Sequence, residues 1–246
     1  MRAVIFAGPS LPPSAQPAVA GVEWRPPARQ GDLYRAALER PDVIGLIDGY
    51  FDAVPSVWHK EILWALSRGI RVYGAASLGA LRAAEMAAFG MIGVGRVFEM
   101  YRDGILTDDD EVAVVHAPEA LDYRHLSMAM IDVRAMLEGA RVAGALSDEE
   151  AGRLCLALKV RFYRDRTTSA LLEEATPVDR ARLSEWLPAW LNRTGGGVKR
   201  EDARLLVLSI GHGDSVCFAD SPSRADFVLT SVWRSFVTGY ENPAPL

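Results

Sequence analysis

One hydroxyl stands among small residues in "VYGAASLGALRAAE", residues 72–85. Ala75 and Gly79 lie two positions before and after Ser77, between a short apolar run and a segment that reads as helix. This A-x-S-x-G arrangement suits a nucleophile elbow, a sharp strand-to-helix turn that lifts the hydroxyl clear of a sheet and tolerates only small neighbours. The amide of Leu78, at the helix N-terminus, would then donate to an oxyanion. A serine that only caps the helix is the competing account, although Ala80 in place of Glu or Gln gives it no reciprocal capping box. A phosphate-binding turn is a third account, but neither G-x-G-x-x-G nor the P-loop pattern is present.

His59 and Lys60, in "WHKE", fall in the first turn of a helix that follows the most apolar strand. A helix N-terminus disfavours positive charge. That keeps a histidine neutral, as a general base requires, and sets Lys60 looking for an anionic partner such as Asp48 or a substrate group. Both side chains also read as ordinary loop-bound or solvated residues. Asp48 in "LIDG" either orients His59, accepts from Lys60, or folds into an Asx turn. Arg82 and Glu85 are three apart, so they pair across a helical turn unless Arg82 faces the sheet edge and binds an anion. His116 is a further candidate, with a packed histidine as its alternative. The aspartates at 108–110 would point in different directions on any regular backbone, so they read as a solvated loop and not as a metal site.

Positioning these groups falls to an alternation of short strands and amphipathic helices. "AVIFAG" ends at the turn "GPSLPP", a brief strand covers Val22–Trp24, and "GDLYRAALERP" is helical from near Asp32 to Pro41. "DVIGLIDG" is a nearly continuous apolar run and should be the central strand. "PSVWHKEILWALSRG", "IRVYGA" and "LGALRAAEMAAF" continue as helix, strand and helix. A fifth strand is expected in "DDDEVAVVHAP", residues 108–118, with His116 at its end. Such an order implies an open, mostly parallel, Rossmann-like α/β sheet with flanking helices, whose ligands bind at the carboxyl ends of the strands. The loops after Gly8, Asp48 and Ala76 should converge there.

Beyond about residue 120 the pattern becomes helical, so the expected division is an α/β core over 1–120 and a helical region over 121–246. Leu126, Met130, Val133 and Leu137 form one stripe, and Ser147 with Glu150 makes a capping box for the next helix of a hairpin. Thr176 and Pro177 open another helix, and the three glycines at 195–197 make a hinge before a last one.

Composition bounds the partners. A net charge of −5, with scattered basic residues, argues against nucleic acid as main ligand. Two cysteines, Cys155 and Cys217, cannot build a disulfide framework or a thiolate metal site. With no signal-peptide core and no membrane-length apolar run, the expected location is the cytoplasm.

"AVIFAGPSLP", "LIDGYFDAVPSVWHKEILWALSRGIRVYGAASLGALRAAEM" and "FGMIGVGRVFEMYRDG" together resemble the TfuA-like family over residues 1 to about 120. Members of that family accompany YcaO enzymes, which use ATP to convert a backbone amide of a ribosomally made peptide or a protein into a thioamide. The resemblance implies sulfur supply: release of sulfide from a thiocarboxylated ThiS-like carrier protein, and support of the YcaO partner by direct contact. It implies no cofactor.

A thiocarboxylate is an acyl group, so a serine, a base and an oxyanion pocket are the parts needed to expel sulfide. Matched residue by residue, the catalytic positions are Ser77, His59, Lys60 and Asp48, and the substrate-binding ones Arg82, Glu85, Gly79 and Leu78. Ser77, or a water held by Ser77 and His59, would attack while turn amides and Lys60 hold the oxyanion and Arg82 takes the anionic end. Ala76 departs from the family pattern, where a second serine often precedes the first, which counts against a two-serine mechanism. The rival expectation is a non-catalytic activator that docks YcaO through exposed aromatics such as Trp58 and Trp64. A small-molecule esterase is a third, opposed by the lack of an acyl-binding segment.

Overall fold

The computed structural model describes residues 1–52, 54–194, 197–211 and 227–241. Five short strands make one parallel sheet: β1 (Ala3–Phe6), β2 (Val22–Arg25), β3 (Val43–Leu46), β4 (Arg71–Ala75) and β5 (Ile92–Val94), in the order β2-β1-β3-β4-β5. Between them run α1 (Asp32–Leu38), α2 (His59–Ser67) and α3 (Leu78–Met86), and α4 (Arg96–Arg102) follows β5. Side chains alternate across the strands, and both faces are covered. Val4, Phe6, Ile44, Leu46 and Val72 pack with α1 to α3 on one side. Ala3, Ile5, Val43 and Tyr73 occupy the other. Burial on both faces is why the central strands read as unbroken apolar runs rather than alternating ones.

Strand order reverses between β1 and β3, the topological switch point at which the loops leaving the carboxyl ends diverge and open a crevice. The Asp48 carboxylate ties those loops together. It accepts from the amides of Gly8 and Ser10, each at 2.9 Å, and from the Ser10 hydroxyl at 2.7 Å.

The helical part contains α5 (Met130–Val142), α6 (Asp148–Lys159), α7 (Thr168–Glu174) and α8 (Pro177–Thr194), packed around Met130, Val133, Leu137, Leu154 and Leu183. The Ser147–Glu150 capping box forms in both directions, and Thr176 caps α8 through the amide of Asp179. Two later helices return to the sheet. From α9 (Val198–Gly211), Ala203, Leu206, Val207 and Ile210 cover the second sheet face. From α10 (Ser231–Glu241), Trp233 packs on the α1–α2 side, against Tyr34 and Trp64.

Several sequence expectations are corrected. Residues 108–118 form no strand: a short 3-10 turn at Asp109–Glu111 leads into an irregular run that meets residues 124–127 through backbone bonds and one isolated bridge, His116 to His125, and the fifth strand is Ile92–Val94. Three residues with Gly93 at the centre are too short for periodicity to reveal, and Gly93 is glycine because the Phe98 ring occupies the space of a Cβ. The acidic run is exposed at Asp108 and Asp109 but is tied down by cations. Lys159 Nζ lies 2.9, 2.6 and 3.0 Å from Asp108, Asp110 and Glu111, while Arg166 and Arg134 bind Asp110 and Glu111. Those cations fill the centre of the one carboxylate cluster with metal-like spacing among the described residues. α2 starts at His59 rather than near Pro55, and Leu126 precedes α5 and is half exposed. Cys217 and two of the three hinge glycines lie outside the described residues, and Cys155 is a free, half-buried thiol near Arg134.

Candidate functional site

Ser77 joins β4 to α3 through a turn that is strained one residue earlier. Ala76 has φ +66°, and the Ser77 amide donates to the Ala75 carbonyl at 2.8 Å, a three-residue γ-turn rarely adopted by a residue with a side chain. Two close approaches make this turn possible. A Cβ on Gly79 would lie 1.8 Å from the Leu46 carbonyl oxygen, and one on Gly74 would lie 2.2 Å from the Gly79 oxygen. Small residues at the elbow are therefore demanded by α3 pressing onto β3 and β4. The Gly79 amide is spent on the Ile47 carbonyl at 3.2 Å, so that N–H is not free to donate to a ligand. Leu78 buries its side chain beneath Gly49, while its amide bonds to none of the described residues.

The Ser77 hydroxyl does not cap α3. It is 3 % exposed and makes one long contact, 3.4 Å to the carbonyl oxygen of Val112. It borders a cavity of about 250 Å³ that also meets Pro9, Asp48, Asp52, His116 and Arg164. The cavity thus lies at the β1–β3 switch point. The Asp52 carboxylate, at its rim, binds Tyr163 Oη at 2.9 Å and the Arg164 guanidinium, joining the sheet loops to the helical part. The same bonds hold Asp52 below the usual carboxylate range.

Other expected partners of Ser77 point elsewhere. Neither His59 nor Lys60 borders its cavity. His59 Nε2 lies 2.8 Å from Glu85 Oε2, which also receives Arg82 at 2.6 Å, while Arg82 Nε donates to the Val57 carbonyl. Burial pushes the Glu85 carboxyl up, but the bonds from His59 and Arg82 outweigh it and hold the group below its ordinary value. Arg82 and Glu85 border an adjacent groove of about 520 Å³. Lys60 has no anionic partner among the described residues: its Nζ donates to the Val228 carbonyl at 2.9 Å and to Thr230 Oγ1 at 3.0 Å, with the Phe227 ring beneath. Asp48 forms no Asx turn and takes no bond from His59 or Lys60, since its carboxylate is engaged by Gly8 and Ser10. Trp58 and Trp64 are not an open docking patch, because Trp233 of α10 lies over both rings.

His116 does border the Ser77 cavity; its Nδ1 is 2.9 Å from the Ala117 carbonyl, and its ring meets Tyr50 and Tyr123. Sequence reasoning missed another group that shares a partner with Ser77. Lys199, in the first turn of α9, is 1 % exposed and donates to the Val112 carbonyl oxygen at 2.7 Å, the acceptor that Ser77 also uses. A signal was present. Lys199, Ala203, Leu206 and Ile210 follow the i, i+4, i+7, i+11 spacing of one helix face, which sets a lysine on the buried stripe.

Residues 48–167 match the model of a family described as TfuA-like protein. This span holds Ser77 and the other expected site residues but not Lys199. No curated protein matches the chain. Among the described residues, no helix is long and apolar enough to cross a membrane.

Proposed function

We propose that this chain, which belongs to the TfuA-like family, is an accessory protein of YcaO-dependent thioamidation that hydrolyses the C-terminal thiocarboxylate of a ThiS-like carrier and so supplies sulfide to its YcaO partner. The reaction needs a nucleophile at the acyl carbon and a donor for the oxyanion that forms there. The observation that carries the reading is Ser77: a buried hydroxyl on a strained turn, at the wall of a switch-point cavity, followed by the uncommitted amide of Leu78.

A cavity of about 250 Å³ admits the end of an extended chain and not a folded domain, as a carrier with a protruding tail requires. Asp48 serves this site by fixing the Gly8–Ser10 loop. Arg82 and Glu85, on the adjacent groove, belong in this reading to carrier recognition and not to proton transfer. The peptide or protein to be thioamidated is chosen by YcaO. The isolated protein, mixed with thiocarboxylated carrier in the absence of YcaO and ATP, is expected to release sulfide and leave a plain carboxylate. Wild-type protein that binds YcaO but releases no sulfide would instead support the non-catalytic activator.

A further inference from the structure

Lys199 and Ser77 approach the Val112 carbonyl oxygen from the two halves of the chain, at 2.7 and 3.4 Å. Those two distances laid end to end are the greatest separation their polar atoms can have. Both side chains are buried, and the Val112 oxygen is the only hydrogen-bond partner of Lys199 Nζ among the described residues. A charged lysine in such a place ordinarily sits in an ion pair, because an unpaired buried charge is costly. Among the described residues, no carboxylate lies within ion-pair distance of this one. We infer that Lys199 is the proton acceptor for Ser77, a catalytic residue that α9 delivers from beyond the family-matched span.

The inference rests on the proposed hydrolysis and deepens it. Burial lowers the proton affinity of Lys199, against the pull of the more distant Asp48 and Asp132, and this favours the neutral amine that a general base must be. Lys199 also borders a second cavity of about 510 Å³, shared with Asp132, His125 and Arg200, and Pro9 walls both cavities. Lys199 thus lines the second cavity while its amine meets the Val112 carbonyl oxygen that Ser77, on the first cavity, also uses.

In the step assigned, Ser77 Oγ bonds to the thiocarboxylate carbon as its proton passes to Nζ, and the oxyanion forms against the Leu78 amide. Collapse breaks the C–S bond, and the departing sulfide takes the proton from Nζ and leaves as HS⁻. Water then attacks the seryl ester, giving up one proton to Nζ, which returns it to Oγ; the carrier leaves as its carboxylate with one proton released to solvent. Nothing is oxidised or reduced.

Four proteins test this with thiocarboxylated carrier as substrate and sulfide as readout: wild type, Ser77→Ala, Lys199→Arg and Lys199→Met. Arginine keeps the cation and a donor for Val112, so a purely structural lysine is rescued by it and a base is not. The expected result is loss of at least about a hundred-fold in both lysine variants. Loss in Ser77→Ala with activity kept in Lys199→Arg overturns the role of Lys199 and leaves the hydrolase standing. Full activity in Ser77→Ala, or none in wild type, overturns both. A second measurement needs no change at Lys199: the rate at which a fluorophosphonate labels Ser77, followed against pH in wild type and His116→Gln. The groups facing the amine are Asp48, Asp132, His125 and Arg200. Labelling should rise with pH along one limb that His116→Gln leaves in place; disappearance of that limb in the variant makes His116 the base and overturns the proposal.

Discussion

Ser77 and Lys199 donate to the same backbone oxygen, that of Val112. Ser77 arrives on the strained turn after β4, Lys199 on the first turn of α9, and Val112 on the irregular run that replaces an expected strand. Three distant parts of the chain therefore build one buried polar contact at the carboxyl edge of the sheet. Removing Val112 from a ladder is what frees its carbonyl for this meeting.

Gly79→Ala should be among the most damaging small substitutions. The added methyl would meet the Leu46 carbonyl at 1.8 Å, an atom of the central strand that cannot rotate away. A cost of about 3 kcal/mol is expected from overpacking against backbone, read as a lower urea midpoint. A midpoint matching wild type would show that α3 can lift off β3.

Asp48→Ala removes the acceptor of two buried amides and one hydroxyl, those of Gly8 and Ser10. Stability should fall by about 2 to 4 kcal/mol, since unsatisfied buried donors carry their desolvation cost. Equal stability of variant and wild type in denaturant titration would show the loop re-bonded elsewhere.

Glu61 gives a pH dependence of defined sign. It is fully buried, and burial pushes its carboxyl up to about 7 in spite of bonds from Gly31, Trp58 and Tyr34. The native state then holds the proton more tightly than the unfolded chain does. Its stabilising contribution is complete below the ordinary value of 4.5 and is lost as the pH climbs to about 7, a change of order 3 kcal/mol. Denaturant titrations across that window should show wild type losing stability relative to Glu61→Gln; parallel curves would contradict the shift.

Trp233→Ala tests what holds α10. The ring is 1 % exposed and lies against Tyr34, Trp58 and Trp64. Loss of about 3 to 5 kcal/mol is expected, as for other large buried aromatics, together with a change in the fluorescence of the two neighbouring tryptophans. An unaltered emission spectrum would place α10 elsewhere in solution.

The sheet was readable because its central strands are buried on both faces and leave unbroken apolar runs, as at Val43–Ile47. The elbow was readable because close packing forces Gly74 and Gly79 to be glycine whatever Ser77 does. His59 and Lys60 were misassigned as partners of Ser77 for a local reason: sequence places them at the right edge of the sheet, but Glu85 and the 228–230 segment, far along the chain, capture their side chains. Asp108, Asp110 and Glu111, at the start of the expected strand at 108–118, are instead held by tertiary ion pairs with Lys159, Arg134 and Arg166, which no periodicity encodes. Lys199 lay in plain view on a buried stripe, yet a lysine near a helix start reads as solvated until the sheet it faces is known.

Sulfide release from thiocarboxylated carrier by the isolated protein, compared with Ser77→Ala, tests the central claim most directly. The Ser77 hydroxyl makes only a 3.4 Å contact, so the variant should fold with a melting temperature near that of wild type while its release falls by roughly a thousand-fold or more. Release by Ser77→Ala at the wild-type rate would contradict the account.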